Sequence, residues 1–304
     1  MYDASLMQPP LIVGLGRIGV AISGLGPNLP VSASPAAELA SLATTPAPGI
    51  AVALRAAARL GCRARAAGTH GADLLGQLAR SALRDAGVDV ELLRPSGTSA
   101  CEIVIVAGDG TLRARAEGED GDAGIIDPVL LMTDAAALLI DGSLPREQIR
   151  AAEVARANKQ PVILDVGEVR SGTSELIACA DILITSERAA SDLAPRGELT
   201  DALDEILALG PRAVVITLGE AGAIGRHGDQ LVRCPAFPSD ALDVSGAGSV
   251  FHGGFAAALL SGLPFARCIE LGAAAAALSL RELGPWAAMP SREDVLALVK
   301  TRRA

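Results

Sequence analysis

Apolar runs of strand length alternate with helical patterns along most of the chain. Leu11–Val13 is strand-like, Ala51–Leu60 and Gly76–Asp85 carry helical spacing, and Gly87 stops the second helix. Ala136–Ile140 is a short apolar run ending at Asp141-Gly142, and Arg146–Asn158 is again helical. Val162–Asp165, Asp181–Thr185 and Val214–Leu218 follow as strands, and two long helical stretches lie towards the C-terminus. Non-alternating apolar strands separated by helices predict an α/β fold with a mostly parallel sheet covered on both faces.

One stretch breaks the rhythm. Cys101–Ala107 and Thr111–Glu117 flank Gly108-Asp109-Gly110, a turn suited to positive φ, which predicts a β-hairpin rather than a βαβ unit. A hairpin inserted in an α/β chain is a candidate lid or dimer arm. Residues 20–46, rich in Gly, Pro and Ser, are expected to add a second, irregular piece.

Composition narrows the function classes. Of 304 residues half are hydrophobic, so a full core can be buried, and aromatics are scarce at 2%, so that core is built from Ala, Leu, Val and Ile. A formal charge of -9 with no Lys/Arg run argues against nucleic acid or an anionic membrane surface as the main partner. No apolar run reaches the roughly 18 residues of a membrane span, and Met1 to Pro10 lacks the pattern of a signal peptide, so a cytoplasmic protein is expected. Cys62, Cys101, Cys179, Cys234 and Cys268 are scattered, odd in number and never spaced C-x-x-C, which fits neither a disulfide framework nor a zinc site.

Gly14-Leu15-Gly16-Arg17-Ile18-Gly19 is formally a dinucleotide-binding G-x-G-x-x-G. Such a turn must open a helix, yet Gly24, Gly26, Pro27 and Pro30 follow at once and Glu38 falls in a helical context instead of ending a strand. We read it as a coincidence. The stronger segment is Asp243-Val244-Ser245-Gly246-Ala247-Gly248-Ser249, where three small residues precede a helix running to about Leu260. Their amides, at the positive end of the helix dipole, can form an anion hole for a transferring phosphoryl group, or can serve a packed strand-to-helix turn.

This segment resembles the D-T-x-G-A-G-D signature of ribokinase-like (PfkB-type) carbohydrate kinases, and the likeness spreads along nearly the whole chain. Gly71-Ala72-Asp73-Leu74-Leu75-Gly76 is similar to the family's G-x-D-x-x-G helix, and Asp181–Glu187 to the strand entering its N-x-x-E segment. Thr217-Leu218-Gly219-Glu220-Ala221-Gly222 resembles its T-x-G-x-x-G nucleotide turn. Pro235–Pro238 and Val250–Gly253 are most similar to the sulfofructokinase-like branch.

The resemblance implies one ribokinase-like three-layer α/β/α domain over 1–304, with a mostly parallel sheet and a small β lid from segments 15–46 and 94–120. It also implies a homodimer through the lids and ATP- and Mg2+-dependent phosphorylation of a small-molecule hydroxyl. Gly246, Ala247 and Gly248 would then form the anion hole, while Thr217, Gly219, Gly222 and Asp243 would shape the nucleotide site, with no protein metal site. Ser249 stands where the family carries its catalytic Asp. A neutral hydroxyl is a poor proton acceptor, and loss of a general base costs about 10²–10⁴ in rate. Positions that contact sugar in the family fall on Gly19, Ala47-Pro48 and Val52, and its N-x-x-E falls on Ser186 and Ala189. These replacements point to a smaller or more apolar ligand, or to none. His252, one helical turn after Ser249, and His70 read as buried structural histidines. Two functions therefore stand: a carbohydrate kinase of doubtful ordinary activity, and a pseudokinase that binds a ligand or regulates without turnover.

Overall fold

The computed structural model describes residues 8–26, 38–47, 49–108, 110–119, 121, 126–195 and 197–302. Strands β1 (Leu11–Ile18), β4 (Arg63–His70), β5 (Asp89–Pro95), β8 (Ala135–Ile140), β9 (Val162–Val166), β10 (Ile182–Ser186) and β11 (Ala213–Thr217) are parallel. With antiparallel β12 (Ala223–His227) and β13 (Gln230–Cys234) they make a nine-stranded sheet in the order β13-β12-β11-β10-β9-β8-β1-β4-β5. The central strands are buried almost end to end because helices cover both faces.

Two hydrophobic clusters fill the spaces between these layers. One lies under α1 (Ile50–Arg59), α2 (Leu74–Asp85), α8 (Ala247–Leu260), α9 (Phe265–Ser279) and α10 (Arg292–Thr301). The other lies under α3 (Pro128–Met132), α4 (Pro145–Ala157), α5 (Thr173–Cys179), α6 (Glu187–Leu193) and α7 (Leu199–Leu207). The three-layer α/β/α architecture follows directly. Among the described residues no helix is long and apolar enough to cross a membrane.

A second sheet of four strands, in the order β3-β2-β6-β7, contains β2 (Val20–Leu25), β3 (Ser41–Pro46), β6 (Cys101–Ala107) and β7 (Gly110–Ala116). The hairpin expected at Cys101–Glu117 is β6 and β7, paired antiparallel; its turn residue Asp109 lies outside the described residues. The piece expected to be irregular holds two regular strands, because β2 pairs with both β3 and β6 and its backbone groups are satisfied on each side. Leu15–Ile18 belong to the large sheet, as do Arg94 and Pro95; the small sheet takes up the chain from Val20.

The G-x-G-x-x-G stretch lies within and just after β1 and opens no helix. Its glycines serve close packing. A Cβ on Gly14 would meet Ile50 Cγ2 at 2.6 Å, and one on Gly19 would meet the Ala100 carbonyl at 2.5 Å. Glu38 is likewise outside any helix; it precedes β3, whose pairing with β2 overrides local helical spacing.

The Gly71–Gly76 motif has a packing logic of its own. Asp73 caps α2 by accepting from the Gly76 amide at 2.9 Å, and it also takes the Ser99 amide at 2.8 Å and the Ser99 hydroxyl at 2.6 Å. One carboxylate thus fixes both a helix start and the chain entering the small sheet. Gly76 is obligatory because an added Cβ would lie 2.0 Å from the Gly71 carbonyl oxygen.

The Ser99 hydroxyl, with the Gly76 and Ser99 amides, holds the Asp73 carboxyl down at about 2. A depressed folded-state pKa gives stability present above the unfolded value, about 3.9, and lost as pH falls through the folded value. Asp73→Ala is expected to cost about 1–2 kcal/mol at pH 7. Its gap from wild type in thermal melts should shrink between pH 4 and pH 2; a gap constant over that range contradicts this role.

Candidate active site

The Asp243–Ser249 segment lies where the C-terminal edge of the parallel sheet meets the start of α8. Gly246 is the helix N-cap at φ 73°, a left-handed conformation natural to glycine. The first bond of α8 runs from the Val250 amide to the Gly246 carbonyl, 3.0 Å, so the amides of Gly248 and Ser249 have no helical carbonyl to reach. The Ala247 amide makes only a long 3.4 Å bond to the Val244 carbonyl. An added Cβ on Gly248 would meet nothing within 4 Å, so open space faces that amide-rich turn. The residues present therefore suit a phosphate group.

Asp243 is not the cap of α8. It is buried, and it accepts from the Ser245 amide at 2.8 Å and the Gly284 amide at 2.9 Å, tying the turn to the loop after α9. Thr217 ends β11 and donates its hydroxyl to the Thr185 carbonyl at 3.2 Å. Gly219 and Gly222, both at positive φ, form the turn into β12; a Cβ on Gly222 would lie 2.0 Å from the Cys234 carbonyl.

A cavity of about 650 Å³ opens between the sheet edge and the small sheet. Of the residues that the sequence nominated for catalysis or cofactor binding, Ser249 alone lines it. Ser249 is buried and its hydroxyl accepts from the Gly49 amide at 2.7 Å. Gly19 and Ala47 also line the cavity; Val52 and Ala189 are fully buried in the two cores, and Pro48 lies outside the described residues. Ser186 caps α6 through the Ala189 amide, 3.2 Å, which accounts for its place there.

The replaced positions pointed to a smaller or more apolar ligand, or to none, yet the cavity is lined by polar groups. Asp141, Ser143, Asp165, Glu168, Arg170 and Arg188 line it from the ends of β8, β9 and β10, and Glu102 and Arg115 from the small sheet. Sequence reasoning passed over Asp141 and Asp165, although each follows or ends a buried apolar strand, where ligands of open α/β sheets gather.

Their surroundings differ. Asp141 Oδ1 accepts from the Ser143 amide at 3.0 Å, the Ser143 hydroxyl at 2.6 Å and the Gln148 side chain at 3.0 Å. Among the described residues, the side chain set against Asp165 Oδ1 is His252, with Nε2 at 3.4 Å. Burial pushes the Asp165 carboxyl above its ordinary range, opposed by His252 and reinforced by Asp141. His252 is a buried helix histidine, as expected, but it borders this carboxylate. His70 is buried beside the Gly71 carbonyl, 2.8 Å from Nδ1.

Charged contacts fasten the small sheet over the cavity. Buried Glu102 pairs with Arg115 at 3.2 Å, Arg115 reaches Glu168 at 3.9 Å, and Arg170 bridges Glu168 at 3.1 Å and Glu117 at 3.8 Å. Arg113 donates to the Ser245 hydroxyl at 3.2 Å, joining the small sheet to the phosphate turn. Glu117 and Gly118 line the cavity from the acidic stretch after the hairpin, whereas Asp120 and Asp122 lie outside the described residues.

Comparison with known proteins agrees with this geometry. A family model described as pfkB family carbohydrate kinase matches residues 49–292. The ribokinase of Bacillus subtilis is 31% identical over 253 residues, covering 80% of this chain and 84% of that protein. The structure of Arabidopsis thaliana ribokinase complexed with ribose and ATP superposes with a TM-score of 0.82 at 25% identity, covering 97% of this chain and 99% of the other. Thermotoga maritima ribokinase gives a TM-score of 0.80 at 22% identity, covering 96% and 99%.

Removing the Asp243 carboxylate would strand two buried amides, each costing about 1–3 kcal/mol. Asp243→Ala is expected to lower the melting temperature by several degrees, read by differential scanning calorimetry. An unchanged melting temperature would show that the turn is held by other contacts.

Proposed function

Because the chain belongs to the pfkB family of carbohydrate kinases, we propose that it transfers the γ-phosphoryl group of ATP to a hydroxyl of a small, polar, sugar-like molecule. The observation that carries this reading is the open turn at Gly246–Ser249 beside a 650 Å³ polar cavity under a β lid. The amides of Gly248 and Ser249, with the dipole of α8 behind them, would stabilise charge gathering on the transferred group. Thr217, Gly219 and Gly222 would border the nucleotide. Mg2+ would enter with ATP and neutralise phosphate charge, held mainly by phosphate oxygens and water. Among the described residues no group of three or more His, Cys, Asp or Glu is placed to cage a metal. Glu102, Arg115, Arg170 and Arg188 offer donors and acceptors for several hydroxyls, which suits a polyol.

A second reading rests on Ser249. Its hydroxyl is engaged by the Gly49 amide at the place where the family carries an ionised base. A protein that binds the same ligands without turnover fits that feature. An acceptor screen that follows ADP formation separates the two.

The lid supports a homodimer. Strand register puts Leu42, Ile103, Ile105 and Leu112 on one face of the small sheet, and Leu42, Ile103 and Leu112 are exposed. The opposite face carries buried Ser23, Thr45, Glu102 and Val104. An apolar outer face on a thin sheet is suited to a second copy of itself.

Calorimetric titration with MgATP is expected to show saturable binding at micromolar to low-millimolar affinity. Gly248→Val adds its side chain to open space and should keep the melting temperature while weakening MgATP at least tenfold. Undiminished binding would remove the turn from the nucleotide site. Light scattering should give a dimeric mass that Ile103→Asp converts to a monomer; a wild-type monomer at micromolar concentration would count against the lid interface.

A further inference from the structure

We propose that Asp165 is the proton acceptor for the substrate hydroxyl, oriented by His252, in a site whose helical base position holds Ser249. The inference deepens the kinase reading above and rests on it.

Ser249 is an unsuitable acceptor on two counts: a neutral hydroxyl holds protons weakly, and its oxygen already takes the Gly49 amide at 2.7 Å. Two carboxylates border the same end of the cavity. A Cβ built on Gly49 would lie 3.1 Å from Asp141 Oδ2, which places Asp141 beside the residue bonded to Ser249. Asp165 is reached through α8 itself: His252 follows Ser249 by one turn and its Nε2 lies 3.4 Å from Asp165 Oδ1.

Hydrogen bonding chooses between them. Asp141 Oδ1 is saturated by three donors that lock Ser143 and Gln148 in place, and Ser143 in turn takes the Arg17 amide at 2.8 Å. That carboxylate is an architectural anchor. Asp165 lines the cavity with only the imidazole set against it.

The imidazole is arranged to serve a carboxylate. His252 Nδ1 lies 2.7 Å from the Gly248 carbonyl, which only accepts, so Nδ1 carries a proton. Nε2 faces the Ile184 carbonyl at 3.3 Å and Asp165 at 3.4 Å, again oxygens. The Nε2 edge of the ring therefore sits against Oδ1, and the second carboxylate oxygen, Oδ2, is left for the substrate. Burial and the neighbouring Asp141 raise the affinity of Asp165 for a proton, and His252 lowers it. These are the charged groups facing Asp165 from β8 and α8; β10 contributes a carbonyl.

In the step, the acceptor O–H breaks and its proton passes to Asp165 Oδ2. The acceptor oxygen bonds to the γ-phosphorus, the bond from that phosphorus to the β-phosphate bridging oxygen breaks, and ADP departs with the electron pair. Asp165 returns its proton to solvent once the phosphorylated product has left.

The test combines kinetics with a readout that needs no turnover. Wild type, Asp165→Asn and His252→Asn are assayed for ADP formation with MgATP and a panel of pentoses, hexoses and their phosphates. Asp165→Asn is expected to bind MgATP within about threefold of wild type, confirming its fold, while kcat falls about 10²–10⁴-fold. The base must be ionised to act, so wild-type kcat/KM rises with pH through the Asp165 titration. His252→Asn removes the group that holds that titration down and should move the rise to higher pH. In parallel, 13C NMR of aspartate-labelled apo protein should show one carboxyl, absent in Asp165→Asn, titrating above the ordinary range and shifting in His252→Asn. Turnover of Asp165→Asn within threefold of wild type, or an Asp165 signal indifferent to His252, overturns the proposal while leaving the kinase reading intact. A wild type that binds MgATP but phosphorylates no member of the panel overturns that reading, and the base with it.

Discussion

The close seating of α8 between α1 and α9 is the contact on which the site depends. A Cβ on Gly253 would lie 2.2 Å from the Ala53 carbonyl of α1, and one on Gly254 would meet Gly272 and Ala275 of α9 at 3.1 Å. Three helices thus approach nearly backbone to backbone, a spacing that larger side chains would forbid. This fixes the N-terminus of α8 at the C-terminal edge of the sheet. The Gly49 amide meets Ser249, and Gly248 faces open space, because α8 cannot slide along its neighbours.

Once α8 is fixed, charge does the remaining work. The parallel strands deliver Asp141 and Asp165 to the same edge, and the small sheet is tied over them by Arg115 to Glu168, Glu117 to Arg170 and Arg113 to Ser245. Partly exposed ion pairs of this kind contribute little stability one by one. Their value is geometric: they set the position of a thin sheet that has only the small core of Val104, Val106 and Leu283 beneath it.

The same packing explains why a motif can be conspicuous and mislead. Gly14 and Gly19 form a dinucleotide signature on paper, but their small size accommodates Ile50 and the Ala100 carbonyl. Gly246 and Gly222 instead carry positive φ at turns, and only there does the glycine itself set the path of the chain. A sequence pattern does not distinguish these uses, since both read as Gly.

What the sequence determined by itself was the local and the periodic. Buried strand runs, helix stops, the Cys101–Glu117 hairpin and the ordered family motifs are written in neighbouring residues, and they suffice for the three-layer fold and the family. The tertiary structure decided what long-range pairing decides: that Val20–Leu25 and Ser41–Pro46 form strands because β2 pairs with both β3 and β6, that Val52 turns into the core, and that the pocket is polar. It also decided that Asp165 and His252, 87 positions apart in the numbering, meet at 3.4 Å. No local pattern pairs them, because their meeting arises from where β9 ends and where α8 is made to begin.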